Sequence, residues 1–140
     1  RVFYLSELRY GFEENRFCIR LDCFPDAIAE LDKMEFRVTI QAADEVAIIA
    51  RLERGKLVEF SIEQARICLL NPTRSAEVAY DRILEVAVQK EILVLSGLQK
   101  MRVGVALWHG GLPVDVLPAE GYLEVNLGEE NSAWPIELPG

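Results

Sequence analysis

Histidine is almost missing: His109 is the only one in 140 residues. That removes most zinc chemistry and every triad built on a histidine base, and no nucleophile motif such as G-x-S-x-G is present. No P-loop or G-x-G-x-x-G occurs, so nucleotide chemistry has no support. Cysteine is scarce too. Three is an odd number, which argues against a disulfide framework, and no CxxC exists. Cys18 and Cys23 stand five apart in one extended run, so they point to opposite faces and cannot pair within it. All three read as small buried hydrophobes in a reducing, cytoplasmic compartment. No run of 18 or more apolar residues exists, which excludes a transmembrane helix. Basic charge is short, 15 Lys and Arg against 23 Asp and Glu, for a net −8. Such a balance repels phosphate backbones and anionic lipid heads, so neither nucleic acid nor membrane is an expected partner.

What is present is a large apolar fraction, 51%, in a chain the size of one domain. It is arranged in short alternating runs. In 103–108, Val103, Val105 and Leu107 share one face, and Gly104, Ala106 and Trp108 take the other. Leu123, Val125 and Leu127 oppose Tyr122, Glu124 and Asn126 in the same way. Val2–Phe12 and Arg16–Phe24 read as a hairpin, with Phe17, Ile19, Leu21 and Cys23 on one face of the second arm. Met34–Gln41 alternates Met34, Phe36, Val38 and Ile40 against polar residues. Val46–Glu53, Leu57–Ile62 and Ala65–Leu70 follow, then Glu77–Gln89 with a break near Asp81. Gly, Pro and Asn punctuate these runs. One or two helical turns are expected after Pro25, with Asp26 as N-cap. The spacing predicts nine or ten strands in an antiparallel two-sheet β-sandwich over 1–127. The tail 128–140 is expected to lie on or beside it, anchored by Trp134. A chain that opens on Arg1 and enters strand at once is expected to be a piece of a longer polypeptide.

Candidate chemistry is thin. Glu13-Glu14, Asp44-Glu45 and Glu129-Glu130 sit in turns or the tail, where adjacent acids are solvated rather than paired for glycoside hydrolysis. Asp26, Asp44 and Glu45 lack the D-x-D-x-D-G pattern of a calcium loop, so no metal or cofactor is expected. The aromatic residues carry more. Trp108 lies opposite the core face, beside the small Gly104 and Ala106, and Tyr122 shares that outward register. Flat rings of this kind stack on pyranose faces. The competing reading is that the tail or a neighbouring domain covers Trp108, as tryptophans are usually largely buried. Trp108 and Tyr122, with His109 next to the first and Trp134 in the tail, are the candidate carbohydrate contacts.

Three phrases resemble a known family when taken in order. Glu7-Leu8-Arg9-Tyr10-Gly11-Phe12 with Phe17-Cys18-Ile19-Arg20-Leu21-Asp22 is similar to its opening hairpin. Glu85-Val86-Ala87-Val88 with Leu98 resembles its following strand and connector. Arg102–Leu117 with Pro118–Leu127 resembles its closing meander. These belong to the C-terminal β-sandwich domain of some family 57 glycoside hydrolases, itself similar to DOMON-like and family 9 carbohydrate-binding modules. The resemblance implies an immunoglobulin-like or DOMON-like sandwich, a preceding catalytic domain in the same polypeptide and α-glucan as a ligand. It assigns no catalytic residue here, because that family's catalytic carboxylates lie in the preceding barrel. The rival implication is a purely structural domain that stabilises its parent enzyme. Gln89-Lys90 and Leu117 depart from the family pattern, which has Pro and Trp there, so no contact residue carries over at Leu117.

Overall fold

The computed structural model describes residues 2–127. The tail 128–140, Trp134 included, lies outside them. Eleven strands are present among the described residues: β1 (Leu5–Glu13), β2 (Arg16–Cys23), β3 (Lys33–Gln41), β4 (Glu45–Glu53), β5 (Lys56–Gln64), β6 (Ile67–Cys68), β7 (Ala76–Asp81), β8 (Ile83–Gln89), β9 (Lys100–His109), β10 (Leu112–Leu117) and β11 (Leu123–Asn126). Two short helices join them, α1 (Pro25–Ala29) and α2 (Lys90–Leu93), with a single 3-10 turn at Pro72–Arg74. None is long and apolar enough to cross a membrane.

All pairings are antiparallel. One sheet runs β1-β2-β8-β7; the other runs β10-β9-β3-β4-β5-β6, with β11 also on β9. β10 pairs with the second half of β9 and β11 with its first half, so both occupy the same edge of that strand. The sheets stack as the predicted sandwich, with β1 abutting β10 and β7 abutting β5.

Period-two alternation puts every second side chain between the sheets. Phe17, Ile19 and Leu21 of β2 and Leu84, Val86 and Val88 of β8 meet Phe36, Val38 and Ile40 of β3 and Val103, Val105 and Leu107 of β9. Each fully buried chain of this size contributes about 1.5–3 kcal/mol of transfer free energy. Leu123, expected in the core, is only half-buried at the start of β11.

Local chemistry corrects several expectations. Pro25 opens α1 instead of merely ending β2, because its fixed φ suits a first helical turn. Phe24 is the N-cap and makes no side-chain cap, whereas Asp26 lies inside the first turn. The break foreseen near Asp81 is a full reversal at Arg82, whose φ of 67° is left-handed, so one run becomes β7 and β8. Ala65–Leu70 pairs over two residues only. Ala65 and Arg66 both take positive φ and form the two-residue turn that folds this short pairing back onto β5. Cys68 is exposed there, contrary to the buried reading, while Cys18 and Cys23 are half-buried.

Candidate functional site

β9 presents Gly104, Ala106 and Trp108 on the outer face of the larger sheet, while its other face is sealed into the core. β3 lies alongside and contributes Glu35, Arg37 and Thr39, which pair with Trp108, Ala106 and Gly104 respectively. The loop from β10 to β11 closes the other flank. Its Leu117–Pro118 peptide is cis, and it returns the chain at Gly121, where φ is 69°.

Trp108 is half-buried rather than bare. The Arg37 guanidinium lies 4.0 Å from its ring centroid, a cation–π stack that occupies the ring's face. Glu35 fixes that guanidinium. One carboxylate oxygen accepts from Arg37 Nε at 3.1 Å and from Nη2 at 3.0 Å. His109 is anchored at one ring nitrogen: its Nδ1–H donates to the Lys33 carbonyl at 2.7 Å, which ties the end of β9 to the start of β3. Tyr122 is 45% exposed and leans on the strand. A Cβ at position 104 would lie 3.0 Å from Tyr122 Cδ1, so glycine is what lets the ring settle there.

Two hollows adjoin on this face and share Arg37. One, about 320 Å³, is lined by Trp108, His109, Lys33 and Arg51 among others. The second, about 370 Å³, is lined by Gly104, Ala106, Thr39, Tyr122 and the Leu117–Pro118–Ala119 turn. Both fall at the small end of ligand-pocket volumes. Trp108 and Tyr122 therefore share one face, roughly 13 Å apart by four strand residues along β9, whereas His109, next to Trp108 in the strand, alternates away from that face and borders the first hollow at the strand's end.

A further concavity, about 670 Å³, lies on the outer face of the smaller sheet. Its floor is Gly11, Cys18 and Ala87, and its rim carries Arg9, Arg16 and Arg20. Each arginine is already paired: Arg9 with Glu7 and Asp22, Arg16 with Glu13 and Glu77, Arg20 with Asp22. The Arg9 guanidinium holds the Glu7 carboxyl below its usual range. Burial pushes the Cys18 thiol up, so the floor carries no activated nucleophile.

Two residues escaped the sequence reading. Arg37 alternates outward as expected, but nothing in its own strand says which aromatic it will meet. Asp115, in β10, is 5% exposed, the one charged residue in the core among those described. Its Oδ2 accepts from the Tyr4 and Leu5 amides and its Oδ1 from that of Val116, each at 2.9 Å. The signal for it was Pro113, which marks an irregular strand. The register slips between Pro113 and Asp115, and that turns Asp115 inward. Among the described residues, no group of three or more His, Cys, Asp or Glu could hold a metal ion.

Comparison with known proteins places the chain in no family. No family model matches it, and no curated protein or solved structure matches significantly.

Proposed function

We propose that this is a non-catalytic accessory domain of an α-glucan-active family 57 glycoside hydrolase, and that it binds carbohydrate on the outer face of β9. The observation that carries the reading is the placement of Trp108 and Tyr122 on one face, around a shared arginine and two adjoining hollows. Sequence resemblance supplies the parent enzyme and the glucan. In this reading the domain follows a catalytic domain in the same polypeptide, performs no catalysis of its own, and resides in the cytoplasm, where its three unpaired thiols stay reduced.

A shallow site of this kind binds at millimolar level, near −4 kcal/mol, since one stacked ring adds only about 1 kcal/mol. The test is titration of the 140-residue chain with maltoheptaose and with soluble starch, followed by NMR. Shifts confined to the Trp108 and Tyr122 face support the reading. No perturbation at tens of millimolar glucan sinks it.

A second reading, a structural domain that packs on its parent, is favoured by a different patch. Val2, Phe3 and Phe24 are 58%, 57% and 46% exposed. They gather where the Phe24 amide bonds the Tyr4 carbonyl at 2.8 Å. If glucan does not bind while joining the parent raises the unfolding temperature, this reading replaces the first.

A further inference from the structure

We propose that Tyr122, not Trp108, is the stacking face for the sugar, and that Arg37 is the residue that hydrogen-bonds its hydroxyls. This rests on the carbohydrate reading above and refines it. Trp108 is the larger ring, but its face is taken. A pyranose could lie on it only by lifting a guanidinium that Glu35 holds through two N–H donors. Among the described residues, no cation is stacked on Tyr122 in this way. It is 45% exposed, and its ring borders the 370 Å³ hollow whose floor is Gly104 and Ala106.

The polar groups around that hollow suit a neutral polyol. Nε and Nη2 of Arg37 are spent on Glu35, and Nη1, on the opposite edge of the guanidinium, has no hydrogen-bond partner among the described residues. Thr39 brings a hydroxyl that both donates and accepts. The Leu117 carbonyl oxygen stands 3.9 Å from the Cβ position over Gly104 and supplies an acceptor. Ala106, Val116 and Pro118 are apolar. A hexose ring has this same character, an apolar C–H face edged by hydroxyls. Glu35 neutralises the one cation, so a phosphate on the sugar gains nothing here. Trp108 then acts as a positioning residue: it is the bed on which Arg37 is held.

The experiment measures maltoheptaose affinity of the full 140-residue chain by NMR titration, with amide dispersion as the folding check. Tyr122→Ala should weaken binding by about tenfold, whereas Tyr122→Phe, which keeps the ring, should stay within about twofold. Arg37→Lys keeps the charge but loses the planar stack, and should weaken binding by about fivefold or more. Trp108→Leu should weaken it by less than Tyr122→Ala does. Glucose 6-phosphate and glucose should bind within about twofold of each other. Binding that survives Tyr122→Ala but vanishes in Trp108→Leu overturns this assignment and leaves the carbohydrate reading intact. So does a strong preference for the phosphorylated sugar. If wild-type protein binds no glucan, the carbohydrate reading fails and this assignment falls with it.

Discussion

Removing the Asp115 carboxylate should unpin the first strand. Its two oxygens take the amides of Tyr4, Leu5 and Val116, and the side chain is 5% exposed. Hydrogen bonds to a charged acceptor are worth about 1.5–3 kcal/mol each, and a buried donor left unpaired costs about 1–3 kcal/mol. The three do not simply add, because Tyr4 is only partly buried and water reaches its amide. Asp115→Ala should therefore cost about 3–4 kcal/mol, a large share of a typical 5–15 kcal/mol total. Asp115→Asn should cost about half as much: its oxygen still serves Tyr4 and Leu5, but its amide group faces the Val116 N–H, donor against donor. Urea unfolding followed by circular dichroism measures the loss, and the melting temperature should drop on the order of 10 °C for Ala. Hydrogen exchange locates the effect, with the Leu5 amide losing protection ahead of the β3 and β9 amides. If Asp115→Ala lies within about 0.5 kcal/mol of wild type and Leu5 stays protected, the carboxylate is not the tether described here.

Leu107→Ala should cost about 2–4 kcal/mol in the same assay, since the side chain is fully buried between the sheets and the gap cannot collapse. Val94 ends α2 at φ 51° and is half-exposed, a β-branched residue in left-handed space. Val94→Gly should thus raise stability by up to about 1 kcal/mol, and a comparable fall would refute the strain. Burial holds the Cys23 thiol and the Tyr80 phenol up at about 12. The unfolded chain ionises these groups from about pH 9 and 10. The folded state keeps protons that the unfolded state sheds, so stability is full below about pH 9 and declines toward pH 12. Cys23→Ala and Tyr80→Phe together should flatten that decline in urea midpoints taken between pH 8 and 11; an unchanged slope contradicts the assignment.

Strand positions were legible because the alternation is strong where both faces matter. Met34, Phe36, Val38 and Ile40 in β3 could face nothing but a core, and they do. Sheet partners were not legible. β3 ends at Gln41 and β9 begins at Lys100, with five strands between them in the chain, and their pairing alone brings Arg37 to Trp108. Period-two counting fails at a bulge, so the inward turn of Asp115 after the slip at Pro113 had no signature in the alternation. Whether Trp108 is bare or covered was left open by the sequence for a related reason. Small neighbours on its own strand leave room above it, but the occupant comes from the next strand over. Tyr122 was easier to read, because its outward register is set by the short run it precedes.

The loop that carries Tyr122 hangs by both ends from one strand. β10 feeds it and β11 receives it, and both are bonded to the same edge of β9, at Val105–His109 and at Lys100–Val103. Such a loop cannot swing like a lid, because lifting it means stripping ladder bonds from the strand beneath. On the carbohydrate reading proposed above, its ring would meet a sugar already in place, and association would forfeit little chain entropy. The encounter is then set by diffusion and orientation, with no closing step to limit it and none to slow release. If the proposed glucan reading holds, such a weak surface would exchange quickly, and many brief contacts along a polymer would hold an attached enzyme near its substrate without arresting it.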